Sequence, residues 1–211
     1  MTPLLANIYL NALDQKWKER KMDNRRGHDA HLVRYADDMV ILTGKGPKEP
    51  FRLLKETLEA AGLTMHPEKT RIVDAKTGNF DFLGFNFRKV KNPRSGKAFA
   101  LVQPSQKAQK ALREKIREKT GPNTRLKLGE LIKTVNPIIR GWVNYFRIGN
   151  SSKAFGKARR YVADRARRYR RRQQNKNGYG WKELKDSFLY KEMGLFNNYR
   201  TVCSCRPVQI Q

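Results

Sequence analysis

Residues 31–43 carry the sequence HLVRYADDMVILT, in which two adjacent aspartates interrupt runs of β-branched and aliphatic residues. The runs predict two strands, His31–Ala36 and Met39–Thr43, and Asp37 and Asp38 supply the turn chemistry between them. Phosphoryl and nucleotidyl transfer use carboxylates to hold divalent metal ions roughly 3.5–4 Å apart. A tight turn between strands is a rigid place to present such ligands, so the pair is a candidate metal site.

The two carboxylates do not suffice for that chemistry. Side chains of neighbouring strand residues point to opposite faces, so one aspartate should be the principal ligand. A further acidic residue must come from another strand. From the dipeptide alone, an ordinary hairpin turn is the favoured interpretation, because Asp is common in turns. The choice therefore depends on the sequence around the pair.

The segments on both sides of the hairpin predict helices and further strands. An amphipathic helix of about four turns is predicted after Thr2-Pro3. Its apolar positions are Leu5, Ile8, Ala12, Leu13 and Trp17. Residues Phe51–Ala61 predict a second helix that ends at Gly62, and Thr64–Asp74 and Phe80–Val90 predict strands. This order is typical of an α+β unit.

In the second half of the chain, the apolar residues recur at helical spacing. Helices are predicted over 105–118 and 125–135, from the cap-and-proline signal Asn136-Pro137, and over 155–169. The sequence therefore predicts four parts. They are an α+β unit over 1–90, a linker over 91–104, an all-helical domain over 105–196 and a tail over 197–211.

The charge of the chain indicates its partner. Its 211 residues include 46 basic and 19 acidic ones, a formal net charge of +27. Residues 105–211 alone carry 27 basic and 7 acidic residues. Such an excess points to a polyanionic partner bound by the second half. No apolar run approaches the roughly 20 residues of a membrane span. Cys203 and Cys205 suggest neither a disulfide framework nor a zinc site, so a reducing cytoplasm is the expected location.

The densest basic run, Lys157–Arg172, contains nine Lys or Arg residues and a single acid, Asp164. If the apolar stripe of this helix packs inward, guanidinium groups cover its other faces, where they suit RNA phosphates. A merely solvated face is the alternative, but the dominance of arginine and the lack of acids favour nucleic-acid contact. The candidate contacts are Arg140, Arg147, Lys157, Arg159, Arg160, Arg167, Arg168, Arg170, Arg171 and Arg172.

Tyr35-Ala36-Asp37-Asp38 between hydrophobic strands resembles the signature of reverse transcriptases, and other blocks resemble the same family in order. The helix before the hairpin, the block after it and the block that closes the palm correspond to Pro3–Leu10, Gly62-Leu63-Thr64 with Glu68-Lys69-Thr70, and Phe82–Phe85. A further block, Asn136–Phe146, resembles the maturase domain of group II intron proteins. The ordered blocks are far more specific than the aspartate pair, so the chain is identified as a member of the group II intron reverse transcriptase–maturases.

The resemblance implies an α+β fold in which part of a right-hand polymerase palm, an antiparallel sheet with helices, precedes an all-helical thumb or maturase domain. Proteins of this family bind their intron RNA to assist splicing. They also copy an RNA template into DNA from a primer, using deoxynucleotides and Mg²⁺. By the resemblance, Asp37 binds the catalytic Mg²⁺ and Asp38 supports it.

One departure from the family pattern qualifies the expected activity. The family's fingers, and the palm strand with its other metal-binding Asp, precede the block that begins here at Pro3. The chain is therefore expected to be the C-terminal part of a longer enzyme, from a truncated gene, an alternative start or an engineered fragment. Alone it is not expected to polymerise, and its partner would be the missing fingers segment or a second chain.

Two alternatives stay open. A non-catalytic maturase fragment would hold intron RNA through its basic thumb without chemistry of its own. Another bacterial reverse transcriptase, retron-type or CRISPR-associated, is disfavoured by the maturase-like block around Trp142.

Overall fold

The computed structural model of the chain describes residues 3–178, 180–181 and 183–202. The chain divides into two units, Met1–Gly78 and Asn79–Gln211. Thr2, the predicted helix cap, and the thiols of Cys203 and Cys205 lie outside the described residues.

The first unit packs two helices against one face of a β-hairpin. It consists of α1 (Pro3–Glu19), the antiparallel strands β1 (Ala30–Tyr35) and β2 (Asp38–Thr43), and α2 (Lys48–Ala60). The Trp17 indole donates a 3.0 Å hydrogen bond to the Ala30 carbonyl, which ties α1 to the start of β1. The buried core of this unit comprises Leu10, Leu13, Trp17, Met22, Ala30, Leu53, Leu54 and Leu58.

Helix α1 is confirmed, but only part of the predicted apolar stripe, Leu13 and Trp17, packs inward. Its buried positions are Ala6, Leu10, Leu13 and Trp17. Leu5 and Ile8, expected in the core, are 44% and 63% exposed. Because apolar residues occupy two faces of this helix, periodicity alone cannot select the buried one.

The segment after the hairpin matches the prediction in part. Helix α2 is confirmed, and its end lies at Gly62, whose φ of +70° suits glycine. The strand predicted over Thr64–Asp74 is wrong, because the segment is irregular and contains a turn at residues 67–69. That turn is closed by a 3.0 Å bond from the Thr70 amide to the His66 carbonyl. Pro67, within that turn, lacks the N–H that a strand ladder needs.

The second unit begins with a three-stranded antiparallel sheet of β3 (Asn79–Phe82), β4 (Phe85–Lys91) and β5 (Ala98–Pro104). The single strand predicted over Phe80–Val90 is therefore a hairpin. Its turn residues Leu83 and Gly84 both have positive φ, +48° and +77°, as a two-residue type I′ turn requires.

Residues 91–104, expected to be a linker, contain the end of β4 and all of β5. Phe87 lies opposite Val102 in the β4–β5 ladder. Val102 is also held from the other side, since its carbonyl accepts a 2.7 Å bond from the Asn150 amide. Cross-strand pairing thus replaces the expected linker, while the division into a palm part and a thumb part stays a prediction.

Three long helices follow, α3 (Gln106–Lys119), α4 (Leu128–Phe146) and α5 (Ser152–Gln173), and then a short π-helix, Phe188–Glu192. Ser105 caps α3 by accepting a 3.1 Å bond from the Ala108 amide. The helices share one core, built mainly from α4 and α5 and containing Val135, Ile139, Val143, Phe155, Val162, Ala166 and Tyr169.

The helix break predicted at Asn136-Pro137 is wrong, because α4 continues through Pro137. Val135 and Ile139, on either side, are both buried in the shared core. The Asn136 side chain, predicted to cap a new helix, instead bonds the Gly194 carbonyl at 2.9 Å and the Phe196 amide at 2.8 Å. Tertiary packing therefore overrides the local proline signal.

The predicted α+β class is confirmed, with helices and small antiparallel sheets in the order expected of a partial palm and a helical domain. In the part of the chain that the structure describes, no helix is long and apolar enough to cross a membrane.

Candidate metal and nucleic-acid sites

The aspartate pair lies at the tip of the β1–β2 hairpin. The two turn residues are Ala36 and Asp37, and Asp38 begins β2 opposite Tyr35. Both aspartates are exposed. Ala36, predicted to end a strand, adopts a φ of +52°, a conformation that L-residues other than glycine seldom take. The hairpin therefore turns one residue earlier than the sequence suggests.

The hairpin has an inner and an outer face. Leu32, Met39 and Ile41 pack against the core of the first unit. Tyr35 lies opposite Asp38 on the outer face, and Tyr35 is 66% exposed. Asp38 thus belongs to the outer face, while Asp37 occupies the tip, so the two carboxylates differ in setting.

Arg34 connects the turn to α1 through several hydrogen bonds. Its guanidinium binds Asp14 through Nε at 3.3 Å and through a second nitrogen at 2.5 Å. It also bonds the Asn7 side chain at 2.7 Å and the Ala36 carbonyl at 3.2 Å. The planar fork of an arginine suits such multiple contacts. Arg34 therefore fixes the backbone immediately before Asp37.

The donor chemistry of the hairpin fits a hard divalent cation. Mg²⁺ prefers oxygen ligands and is commonly held by one or two protein carboxylates together with substrate phosphates. Asp37 and Asp38 can supply those carboxylates. Among the residues that the structure describes, no group of three His, Cys, Asp or Glu side chains could hold a metal ion. The pair thus offers two carboxylates, and the further acidic ligand expected from the sequence is not found beside them among the described residues.

The long helix α5 presents exposed cations along its outer surface. Lys157, Arg159, Arg160, Arg168 and Arg170, all candidates from the sequence, are exposed. The Arg159 guanidinium lies 4.7 Å from the centre of the Tyr190 ring. These side chains form a basic surface accessible to a polyanion.

Arg167 departs from the sequence prediction. It is 6% exposed, and its guanidinium donates to the Leu184 carbonyl at 2.8 Å, to Asp164 at 3.2 Å and to Asp186. A guanidinium buried among protein acceptors does not face RNA. Its contacts indicate a structural role, anchoring the segment after α5 to that helix.

Two further arginines of the run are bound to the protein. Arg171 pairs with Glu183 at 2.6 Å. Arg172 donates to the Thr120 and Gly121 carbonyls, at 2.9 and 2.7 Å, beyond the end of α3. The basic run thus combines exposed cations with arginines that join elements of the protein.

The remaining two candidates lie on α4 and at its end. Arg140 is exposed, 6.0 Å from the centre of the Phe196 ring. Arg147 ends α4 and is half-buried. Its Nε is buried with no hydrogen-bond partner within the described residues.

The contacts of Arg34 and Arg165 were not predicted from the sequence. Arg34 occupies an inward position of β1, where a charge needs a partner, and this is a signal that strand alternation carries. Arg165 binds Thr120 through the side-chain hydroxyl at 2.8 Å and the carbonyl at 3.0 Å. No sequence signal identifies that contact, because it depends on how α3 and α5 pack.

An α+β unit that displays two carboxylates on a hairpin, followed by a basic helical unit, is the arrangement expected from the resemblance to reverse transcriptases. Residues 1–87 match the family model for reverse transcriptase (RNA-dependent DNA polymerase). Residues 109–188 match the model for the group II intron maturase-specific domain. These two matches, in this order, confirm the resemblance to group II intron reverse transcriptase–maturases seen in the sequence.

A protein of Schizosaccharomyces pombe described as "Uncharacterized 91 kDa protein in cob intron" is 27% identical over 154 residues. The matched region covers 64% of this chain and 19% of that protein. The chain thus spans about a fifth of the length of this relative.

Proposed function

We propose that the chain binds intron RNA through the outward cations of α5. The proposal is supported by the maturase-specific match over residues 109–188 and by the exposure of Lys157, Arg168 and Arg170. Residues 79–211 carry 32 of the 46 basic residues and 8 of the 19 acidic ones. A phosphate backbone neutralised by such a surface releases counterions, so affinity depends steeply on salt.

The combined variant Lys157→Ala, Arg168→Ala and Arg170→Ala tests this proposal. We expect it to lower RNA affinity and to reduce the slope of log affinity against log salt by about 2, since each lost phosphate contact contributes roughly 0.7 on single strands. A salt titration of the binding of fluorescently labelled intron RNA measures both quantities.

A matched control removes the same charge from the first unit, through Lys18→Ala, Lys48→Ala and Lys76→Ala, at three exposed positions. The control should keep the salt slope of the unaltered chain. Equal slopes in both triple variants would contradict binding through α5, and Asp37→Ala should leave RNA affinity unchanged.

We propose that, when copying RNA into DNA, Asp37 is the principal ligand of a catalytic Mg²⁺ ion and Asp38 supports it. The ion would stabilise charge on the attacking and leaving oxygens of nucleotidyl transfer from deoxynucleotides. Asp37 lies at the hairpin tip, and Arg34 holds the adjoining turn against α1. The role of Arg34 in this proposal is to position the turn that carries Asp37.

Primer extension on an RNA template with Mg²⁺ tests the catalytic proposal, with the chain and its Asp37→Ala variant in parallel. We expect no extension from the chain alone, because the described residues offer no third acidic ligand beside the pair. Extension that is lost in Asp37→Ala would contradict the expected inactivity and support the role of Asp37. Extension that persists in Asp37→Ala would contradict that role.

A further inference from the structure

A groove of about 290 Å³ lies in the second unit, between α5 and the segment that contains the π-helix. The part of α5 that lines it includes Gly156, Arg159, Arg160 and Ala163. Tyr190, from the π-helix, also lines the groove. Arg167 and Asp186 complete the lining and form an ion pair, so the acidic side chain there is already neutralised.

The lining of the groove combines a flat cationic group with an aromatic ring. The Arg159 guanidinium lies 4.7 Å from the centre of the half-buried Tyr190 ring. Burial raises the pKa of Tyr190, so its hydroxyl stays neutral at ordinary pH. Stacked arginine and tyrosine groups are the surfaces on which proteins place unpaired RNA bases.

Arg160 provides a cation at the rim of the groove. It is exposed and has no hydrogen bond or ion pair within the described part of the chain. An arginine in this condition suits a phosphate oxygen, which it can bind through two parallel N–H groups.

Gly156 contributes no side chain to the lining of the groove. A glycine inside a helix weakens that helix relative to alanine. Nothing in the backbone requires it here, because its φ is not positive and a Cβ at this position would meet no atom within 4 Å. The space above it is therefore the feature that a side chain would remove. The adjoining π-helix is a type of irregularity that often occurs at functional sites.

We propose that this groove binds one unpaired nucleotide of the RNA, with its base stacked on the Arg159–Tyr190 pair and its phosphate on Arg160. The proposal rests on the RNA-binding function proposed above. The volume is near the lower limit of roughly 300–1,000 Å³ for small-molecule sites, a size that suits a single nucleotide. Because a base paired within a duplex is not free to stack on a side chain, the groove distinguishes unpaired from paired RNA, which the exposed cations alone do not.

Filling the groove with Gly156→Leu tests the proposal, with Gly156→Ala as its control. Both substitutions favour the helix, but only leucine occupies the space. We expect Gly156→Leu to weaken binding of the full chain to a short single-stranded RNA by about fivefold or more, the loss that corresponds to one stacked base. Its affinity for a blunt RNA duplex, and both affinities of Gly156→Ala, should stay unchanged.

A second pair of variants tests the stacked base. Tyr190→Ala should abolish the fluorescence change of a purine analogue placed in the single-stranded RNA, and Tyr190→Phe should retain it. Thermal unfolding of each variant checks that the fold persists, and Gly156→Leu should melt no lower than the unaltered chain.

The outcomes separate this proposal from the one on which it rests. Unchanged single-strand affinity in Gly156→Leu, alongside weakened binding in the triple variant of Lys157, Arg168 and Arg170, overturns the groove and leaves RNA binding by α5 standing. An equal loss on single strand and duplex also overturns the groove. Failure of the unaltered chain to bind either RNA overturns both proposals.

Discussion

Arg34 shows how much a single side chain contributes to the aspartate hairpin. It bonds Asp14, Asn7 and the Ala36 carbonyl, and its side chain is 13% exposed. Replacing it by alanine leaves Asp14 without its ion-pair partner and frees the turn. A lysine, a compact point charge, cannot reproduce the planar fork that reaches all three acceptors.

We expect Arg34→Ala to destabilise the hairpin by about 2 kcal/mol, since hydrogen bonds to charged groups contribute about 1.5–3 kcal/mol and partial exposure of Asp14 lowers that value. The corresponding increase in backbone amide exchange in β1 and β2 is about thirtyfold. Lys55→Ala, at an exposed position of α2, is the control. Exchange rates in the hairpin that do not change with Arg34→Ala would mean that the contact gives no stability.

At the scale of single residues, the sequence predicts which side chains matter better than it predicts the hydrogen-bond partners of those side chains. The inward position of Arg34 follows from strand alternation. The pairing of Arg34 with Asp14 does not, because the apolar residues of α1 occupy two faces and the predicted stripe is only partly the buried one. A hydrogen-bond partner on a packed helix can be predicted only when it is known which face of that helix is buried.

At the scale of the element, the arginines of α5 differ in whether they bond other parts of the protein. Arg165 and Arg172 of α5 both bind the Thr120 carbonyl at the end of α3. Carbonyls at a helix C-terminus lack intrahelical partners and carry partial negative charge, so cations stabilise them. These two arginines therefore join α5 to the end of α3.

Arg172→Ala and Arg170→Ala form a matched pair that tests this division. Arg172→Ala should cost about 1 kcal/mol of stability, or about 2–4 °C in melting temperature, with little change in RNA affinity. Arg170→Ala should lower RNA affinity and leave the melting temperature unchanged, because no bond to the protein anchors it in the described residues. Circular dichroism melts and RNA titrations of both variants measure the two effects. A loss of stability in Arg170→Ala together with a loss of RNA affinity in Arg172→Ala would contradict these two roles.

Sequence patterns predicted the helices of the second unit better than their junctions. The apolar stripe at 155, 158, 162, 166 and 169 is buried as expected. The break at Pro137 and the linker over 91–104 were wrong, because burial around Val135 and Ile139 and strand pairing of β5 override local signals. The π-helix Phe188–Glu192 has no periodic signature that a sequence could reveal.

For the whole molecule, charge and family blocks were the most informative sequence features. The net charge of +27 indicated a polyanionic partner without any knowledge of the fold, since composition is independent of packing. The ordered blocks predicted the family that the matches over 1–87 and 109–188 confirm. Which arginines face outward could not be predicted, because that division depends on contacts between distant segments.

The exposed apolar side chains of the first unit have a consequence for how the protein behaves in solution. Leu4 and Ile8 on α1, and Val33 and Tyr35 on β1, are large apolar side chains exposed to water. Mutual repulsion between highly charged copies keeps such surfaces apart, and salt shortens the range of that repulsion to about 10 Å at 0.1 M. High salt, which would also weaken the RNA binding proposed above, is therefore the condition in which the chain aggregates most readily.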